Sequence, residues 1–495
     1  MASSPLYAVI DLGSNSFHML VTRLLADSVQ TVDKVKRKVR LASGLDSNMR
    51  LSEEAILRGL ECLSFFAERL QDIPKENIKV VATATLRIAT NADDFLSRAE
   101  QILQRKVNLL SGIQEAETIY LGVAHTSNSE GKRLVLDIGG ASTELIVGEE
   151  FVAKKVQSLN LGCVTFNQQF FADGLLSEAN FEQAINAAKV LLAPEIPSYQ
   201  AIGWQSVLGG SGTMQALSEV LMSRCKPAII ALDFLYHFKQ ELIACKAIAD
   251  INIQGLQAER QPVIASGLAI LIALFESLDI EQLQLSSGAL REGLLYEMLP
   301  DMKNQMIRQR TIHSLAERFH IDQQHSLRIA AQMDLLFDLV ATPWQLERDN
   351  SYQLLMTACA LHQVGLLLAY KYHQQHGAYI LQHAELPGFD QADRQLVVAL
   401  VKSYKADIDV DLLKAQAAVD YSQACYLLVI LRLAVILSRR RNDDVLPVFS
   451  ISIESNVITL EIPSQWLADH PLIKDELLQE NIYLSAVNIT LYIQA

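Results

Sequence analysis

The sequence predicts an α/β protein built from two similar units, followed by a helical segment and a small α+β tail. Three observations carry that prediction. First, an apolar run ending in aspartate and a Gly/Ser/Asn turn, Tyr7-Ala8-Val9-Ile10-Asp11-Leu12-Gly13-Ser14-Asn15-Ser16, recurs 126 residues on (Asp137 against Asp11) as Arg133-Leu134-Val135-Leu136-Asp137-Ile138-Gly139-Gly140-Ala141-Ser142-Thr143-Glu144. Second, composition changes near Pro300, and helical patterns with few glycines run from about Met306 to Arg441. Third, residues 446–495 return to β-type runs. A strand ending in such a turn can aim several backbone N–H groups at an anion, and its small side chains let a phosphate come close. Two such turns in register, each opening a half of similar length, point to duplicated α/β units with a phosphate cleft between them.

In the first unit, Tyr7–Ile10, Phe17–Arg23 and Val29–Arg40 read as consecutive strands. The last carries a basic cluster of Lys34, Lys36, Arg37, Lys38 and Arg40. These charges suit a solvated strand edge, and Arg40, beside the Gly44 turn, is the best placed of them to face a ligand. Ser52-Glu53-Glu54 opens a helix whose apolar stripe is Ile56, Leu60, Leu63, Ala67 and Leu70. Ile78–Thr83 is a buried strand running into Ala84-Thr85-Leu86-Arg87, which sets hydroxyls and a guanidinium at a strand end, where open α/β sheets bind ligands. Val107–Leu110 is a further strand. Ser111 and Gln114 then have capping-box spacing at the start of a helix. Glu115 falls in its first turn, as a partner for the helix dipole or as a reactive acid.

The second unit repeats the plan after a polar loop, His125 to Lys132. Glu144–Val147 and Ala153–Leu159 are strands, and Gly162-Cys163-Val164-Thr165 begins a helical region. Val207–Thr213 is a third strand-then-glycine turn, with a helix opening at Met214, and Leu283–Gly293 is a fourth. Each is either a tight packing turn or a phosphate-binding helix start.

Seven of the eleven histidines fall between His313 and His383. His362-Gln363 lies on an apolar helix read as Leu354 to Ala369. Gln cannot replace Asp as an anionic metal ligand, so these are read as structural histidines. Arg439-Arg440-Arg441 closes the last long helix, where cations suit the dipole or an anionic ligand. In the tail, Val448–Ile453, Val457–Ile462, Ile482–Asn488 and Thr490–Ile493 read as strands around a short helical piece.

The whole-chain figures bound the function. The 495 residues are half hydrophobic and carry a net charge of −14, and such length suggests roughly three or four domains. The acidic balance disfavours DNA binding, and an anionic substrate would need local positive charge and a divalent cation. No signal pattern precedes the first strand. The longest apolar run, Val263 to Phe275, falls short of the roughly 20 residues that span a bilayer, and Cys425 to Leu437 is interrupted by Arg432. A cytoplasmic protein with no membrane partner is expected. The six cysteines (62, 163, 225, 245, 359 and 425) are scattered without a C-x-x-C pair, which argues against a disulfide scaffold or zinc site.

The ordered set Asp11–Ser16, Asp137–Glu144, Gly209-Gly210-Ser211-Gly212-Thr213 and Ser287-Gly288-Ala289-Leu290-Arg291-Glu292-Gly293 resembles the exopolyphosphatase/guanosine pentaphosphatase family over essentially the whole chain. Val80–Arg87 and Leu121–Thr126 reinforce the likeness. Length and the stretch Trp466–Leu472 look most like the branch that removes the terminal phosphate of the alarmone pppGpp to leave ppGpp. The sister activity, release of phosphate from long-chain polyphosphate, is the alternative. The resemblance implies two actin-like, ribonuclease H-like domains at 1–125 and 126–305, a helical HD-related domain at 306–441, and a small α+β domain at 442–495. It also implies a homodimer and Mg²⁺.

By the same resemblance, Glu115 is the catalytic base, although Ile113-Gln114 stand where the family commonly has glutamates. The HD-like pair is degenerate at His362-Gln363. Applied to phosphoryl transfer, which asks mainly for positioning and charge neutralisation, this assigns the phosphate to Gly13, Ser14, Asn15, Ser16, Gly139, Gly140, Ser142 and Thr143. Asp137, Asp11 and Glu144 are assigned to Mg²⁺, and Arg87 to the charge on the transferred group. Arg40, Arg291, Gly210 and Ser211 are candidates for the rest of the substrate.

Overall fold

A computed structural model describes residues 4–127, 131–299, 302, 306–441 and 447–494. Part of the polar loop between His125 and Lys132, the break near Pro300 and the start of the tail lie outside the described residues. The chain divides into two compact units: Met1–Leu24 with Val29–Ile307, and Leu25–Ser28 with Arg308–Ala495.

The first unit contains two sheets with the same plan. One comprises β1 (Leu6–Leu12), β2 (Ser16–Leu25), β3 (Ser28–Lys38), β4 (Ile78–Ala82) and β5 (Asn108–Leu109), in the order β3-β2-β1-β4-β5. The other comprises β6 (Lys132–Ile138), β7 (Thr143–Glu149), β8 (Val152–Leu159), β9 (Ser206–Gly209), β10 (Ile229–Ala231) and β11 (Gln282–Leu285). Its order, β8-β7-β6-β9-β11-β10, repeats the first and adds one strand. The duplication extends to register. In the β1–β2 hairpin Asp11 pairs with His18 and Leu12 with Phe17; in the β6–β7 hairpin Asp137 pairs with Glu144 and Ile138 with Thr143. β1 runs parallel to β4, and β6 to β9. β5 is shorter than the Val107–Leu110 run suggested, and both its residues are exposed.

Helices cover these sheets for reasons written in their sequences. Ser52 caps Glu53–Arg69, which buries Ile56, Leu60 and Leu63 at helical spacing. Gly112–Thr126 starts on a complete capping box: the Ser111 hydroxyl accepts from the Gln114 N–H at 3.2 Å, and the Gln114 side chain accepts from the Ser111 N–H at 2.9 Å. It crosses the Leu290–Glu297 helix backbone to backbone. A Cβ on Gly122 would stand 2.1 Å from the Ala289 carbonyl oxygen, and one on Gly293 1.8 Å from that of Thr118. Side chains at either crossing point would force the two helices apart.

Gln261–Leu278 is long and apolar enough to cross a membrane by length and composition, and is longer than the run from 263 to 275. Every residue from Ile264 to Phe275 is buried in the core of the second sheet, which is what an all-round apolar helix requires. All six cysteines are free thiols.

The second unit is helical from Ile307 to Leu437 and ends in a three-stranded sheet, β12 (Ser450–Glu454), β13 (Val457–Glu461) and β14 (Thr490–Gln494). Two readings of its sequence need correction. The apolar stretch from 354 to 369 is not one helix. The helix Asn350–Leu361 stops at His362, and a 3-10 turn, Val364–Leu367, follows. The chain must turn there because Gly365 lies against the backbone of His373, whose carbonyl oxygen would stand 2.0 Å from any Cβ. Residues 482–488 are not a strand either. They finish the helix Pro471–Leu484 and a 3-10 turn at Ser485–Val487. Ile473, Leu477, Glu480 and Leu484 bury one face at helical spacing, and that long-period pattern outweighs the local β propensity of Ile482-Tyr483.

Candidate active site

The two hairpin turns face one another. A Cβ on Gly140 would sit 2.8 Å from the Ser14 Cβ, so the second turn touches the first because it has no side chain there. Each turn is pinned from behind. Arg40 and Ala42 donate their N–H groups to the carbonyls of Asn15 and Ser14 (2.8 and 2.9 Å); Cys163 and Val164 do the same for Gly139 and Gly140 (2.9 and 2.8 Å). Between the turns lies a cleft of about 720 Å³, lined by Asp11, Gly13–Ser16, Asp137, Gly139, Gly140, Ser142 and Glu144 as the sequence suggested.

Five carboxylates line it: Glu292, which accepts from the Ala289 N–H at 2.9 Å, and a further four, Asp11, Glu115, Asp137 and Glu144. Burial raises all four acids above their ordinary range, and neighbouring carboxylates add to this for Asp11, Asp137 and Glu144. Asp11 is pushed up to about 7, with Arg291 pulling against the burial. Its Oδ1 is buried without a hydrogen-bond partner. Glu144 is held by hydroxyls instead: Ser158 donates to its Oε1 at 2.8 Å, and Ser142 also bonds it. Among the described residues, no group of three or more His, Cys, Asp or Glu side chains is arranged to hold a metal by itself.

Glu115 is 7% exposed, and the Arg87 guanidinium holds its Oε2 at 2.9 Å. The same Arg87 nitrogen donates to the Leu110 carbonyl at 2.9 Å. Burial pushes the Glu115 carboxyl up, and Arg87 opposes that with a hydrogen bond and charge. Arg87 therefore grips the acid rather than lining the cleft.

Two other expected residues also sit differently. Thr143 is fully buried, and its hydroxyl donates to the Leu161 carbonyl. Arg40 adopts a left-handed φ of 52° where the chain turns after β3, and does not line the cleft. Lys34 and Lys36 do so in its place, since alternate residues of a strand share a face. Lys38 instead pairs with Glu259 at 3.3 Å. Gly210, Ser211 and Arg291 all line the cleft. Ser211 holds a φ of 134°, a backbone region that favours glycine.

Residues 20–302 match the Ppx/GppA phosphatase family, and residues 307–481 match domain III of the same family. The chain belongs to the Ppx/GppA phosphatase family. The guanosine-5'-triphosphate,3'-diphosphate pyrophosphatase of Pseudoalteromonas translucida (strain TAC 125) is 49% identical over 478 residues, which covers 96% of this chain and 95% of that one. The protein of the same name from Aeromonas hydrophila is 47% identical over 477 residues, 96% of each chain. Among solved structures, an exopolyphosphatase from Cytophaga hutchinsonii superposes with a TM-score of 0.56 at 23% identity, over 60% of this chain and 98% of its own. A Ppx/GppA enzyme from Aquifex aeolicus gives 0.51 at 23% identity, over 59% and 99%. These last two likenesses speak to the fold.

Two cleft residues of this Ppx/GppA chain escaped the sequence reading. His18, on β2, pairs with Asp11 of β1, and its Nδ1 lies 3.1 Å from an Arg291 nitrogen. Burial first, and then Arg291, pushes its pKa down to about 2, so the ring is neutral and accepts from Arg291. The 126-residue offset that pairs Asp11 with Asp137 also pairs His18 with Glu144, and that offset was the signal available. Arg260 is the other. It precedes the apolar Gln261–Leu278 helix, and its guanidinium occupies the place of a Gly212 side chain: a Cβ there would be 2.0 Å from Cζ.

Gly212→Ala is accordingly expected to push the Arg260 guanidinium aside. It should reproduce the Arg260→Ala phenotype, a KM raised about tenfold or more with kcat less affected, as for a lost charge-assisted contact of roughly 1.5–3 kcal/mol. Steady-state kinetics of both variants checks this.

Proposed function

We propose that this chain hydrolyses the terminal 5'-phosphate of guanosine-5'-triphosphate,3'-diphosphate (pppGpp), leaving ppGpp and inorganic phosphate, in the cytoplasm and with Mg²⁺. One observation carries the reading: a buried glutamate, Glu115, is held by Arg87 and opens into a cleft walled by two matching Asp-Gly turns. The near full-length likeness to pyrophosphatases of that name chooses the substrate.

The backbone N–H groups and hydroxyls of Gly13–Ser16 and Gly139–Ser142 bind the terminal phosphoryl oxygens. Glu115 orients a water and takes its proton. The water oxygen bonds to phosphorus as the bridging P–O bond breaks, and the electron pair leaves with the diphosphate. Lys34, Lys36 and Arg260 offset the charge of the remaining substrate, and Arg291, fixed on His18, faces the same space. These cations let a protein of net charge −14 hold a polyanion.

Asp11, Asp137 and Glu144 would hold Mg²⁺. The partnerless Asp11 Oδ1 and the clustering of buried acids support that fit, because at Asp137 burial and the neighbouring carboxylates outweigh the opposing charge of Arg291. Few protein ligands are needed, since Mg²⁺ keeps several waters and takes the rest of its shell from substrate phosphates. When bound, it supplies charge neutralisation on the phosphoryl oxygens.

The repeated strand order supports reading both sheets as actin-like domains, with boundaries at 1–125 and 126–305. The helical segment 306–441 is the HD-related domain, with His362 kept as a buried residue bonded through Nδ1 to the Cys359 carbonyl at 2.8 Å, and 442–495 is the small final domain. Arg439 and Arg441 pair with Glu476 and Asp322 (3.2 and 3.0 Å), and Arg440 bonds His470 at 3.0 Å. The triplet is thus engaged within its own unit, which favours pppGpp over a long polyphosphate chain.

Phosphate release from pppGpp and from long-chain polyphosphate, each with Mg²⁺, tests the proposal. Faster turnover of pppGpp is the expected result. A preference for polyphosphate would transfer the same chemistry to the sister activity, and no release from either would end the hydrolase reading of this cleft.

A further inference from the structure

In the second unit the helices His373–His383 and Gln391–Ser403 approach closely at Gly377, where a Cβ would stand 3.1 Å from the Val401 Cγ1. Ala378, next in sequence, lines a cleft of about 590 Å³ between them, a volume usual for a small-molecule site. Ala378 and Val398 are its buried apolar residues. Gln375, Tyr379 and Gln382 join Ala378 on one face of the first helix, and Gln395 joins Val398 on the second.

The amides of this lining divide into two kinds. Gln416 is buried and its amide is fully spent. Its Nε2 donates to the Leu413 and Val419 carbonyls (3.3 and 2.7 Å), and its Oε1 accepts from the Ala418 and Val419 N–H groups (3.0 and 3.1 Å). It fixes the wall of the cleft. The side-chain amides of Gln375, Gln382 and Gln395 have no hydrogen-bond partner among the described residues, so three donor–acceptor groups of one cleft are left for a ligand. Beside them Tyr379 is 66% exposed, its ring centre 4.6 Å from that of His383.

Charge narrows the ligand. Lys402 is the one Lys, Arg, Asp or Glu side chain in the lining. Its Nζ is already paired with Asp409 at 2.7 Å. The site therefore offers amides and aromatic surface without net positive charge. A side-chain amide matches the adjacent donor and acceptor on a purine edge, and an aromatic ring supplies a face for stacking.

We infer that this cleft binds an uncharged purine base, stacked on Tyr379 and hydrogen-bonded by the Gln375, Gln382 and Gln395 amides. The base arrives as a nucleoside or as part of a nucleotide, and the phosphate adds little.

Equilibrium dialysis of the full chain with guanosine, adenosine, uridine and the two purine monophosphates tests this, with hydrogen exchange to locate the site. Both purine nucleosides are expected to bind. Their monophosphates should bind within about threefold of them, and uridine at least about tenfold more weakly. Protection should fall in His373–His383 and Gln391–Ser403. Tyr379→Ala should weaken binding about tenfold or more, and Ala415→Trp, at an exposed position of the cleft wall, should block it. Both variants should keep the wild-type melt and phosphate release. No purine binding at about 1 mM, protection elsewhere, binding indifferent to Ala415→Trp, uridine bound as well as the purines, or binding of the monophosphates alone would each overturn the proposal.

Discussion

Glu115→Gln is expected to lower kcat for pppGpp by about 10²–10⁴-fold while leaving substrate affinity nearly unchanged. Glutamine preserves the shape of the side chain and can still accept a hydrogen bond from Arg87, so the helix start and the Arg87–Leu110 contact should survive. What disappears is the ability to take a proton from water. Single-turnover phosphate release, with binding followed separately, distinguishes this from a folding defect. Retention of near wild-type turnover would move the base elsewhere.

The same pair can be interrogated through Arg87. Burial raises the Glu115 carboxyl, and Arg87 is the main influence pulling it back. The base works only when deprotonated, so activity should rise with pH through that raised pKa. Arg87→Met removes the opposing charge, so the acid limb of the kcat profile should move to higher pH. An acid limb that stays in place would mean that Arg87 does not act through Glu115.

The legible parts of this protein are those whose chemistry is contiguous in sequence. The Asp11 and Asp137 turns, the Ser111 capping box and the apolar stripes of the first unit each lie within one short stretch, and the fold uses them as written. Lys34, Lys36 and Arg40 show where local reading stops. All three share a strand parity, yet the left-handed turn at Arg40 carries its side chain away from the cleft. Arg260 reaches the cleft only because Gly212, from another element, leaves room for it, and such a contact has no signature in either segment alone. The 354–369 stretch failed for a similar reason: the close approach of Gly365 to His373 is tertiary, and it outweighs an unbroken apolar pattern.

Arg432 shows the converse, a residue whose oddness was visible in the sequence but whose partner was not. It interrupts the apolar run of the Tyr421–Leu437 helix, is 1% exposed, and forms a two-pronged ion pair with Glu480 of the Pro471–Leu484 helix, with Nη2 to Oε2 at 3.0 Å. Its remaining nitrogen donates to the Ser403 carbonyl, and its guanidinium lies 5.2 Å from the Tyr483 ring centre. Burial raises the Glu480 carboxyl, and Arg432 is what opposes it. Removing one partner therefore strands the other charge in the core. Glu480→Ala or Arg432→Ala is expected to cost about 3–5 kcal/mol of stability. Replacing both together, as Arg432→Met/Glu480→Leu, should recover most of that loss, since a buried ion pair is worth little more than well-packed apolar side chains of similar volume. Denaturant titrations of the two single variants and the double variant measure the coupling directly. Additive losses would mean that the pair does not act as one unit. Recovery in the double variant would show that the pair adds little net stability, each partner being needed chiefly to neutralise the other in the core.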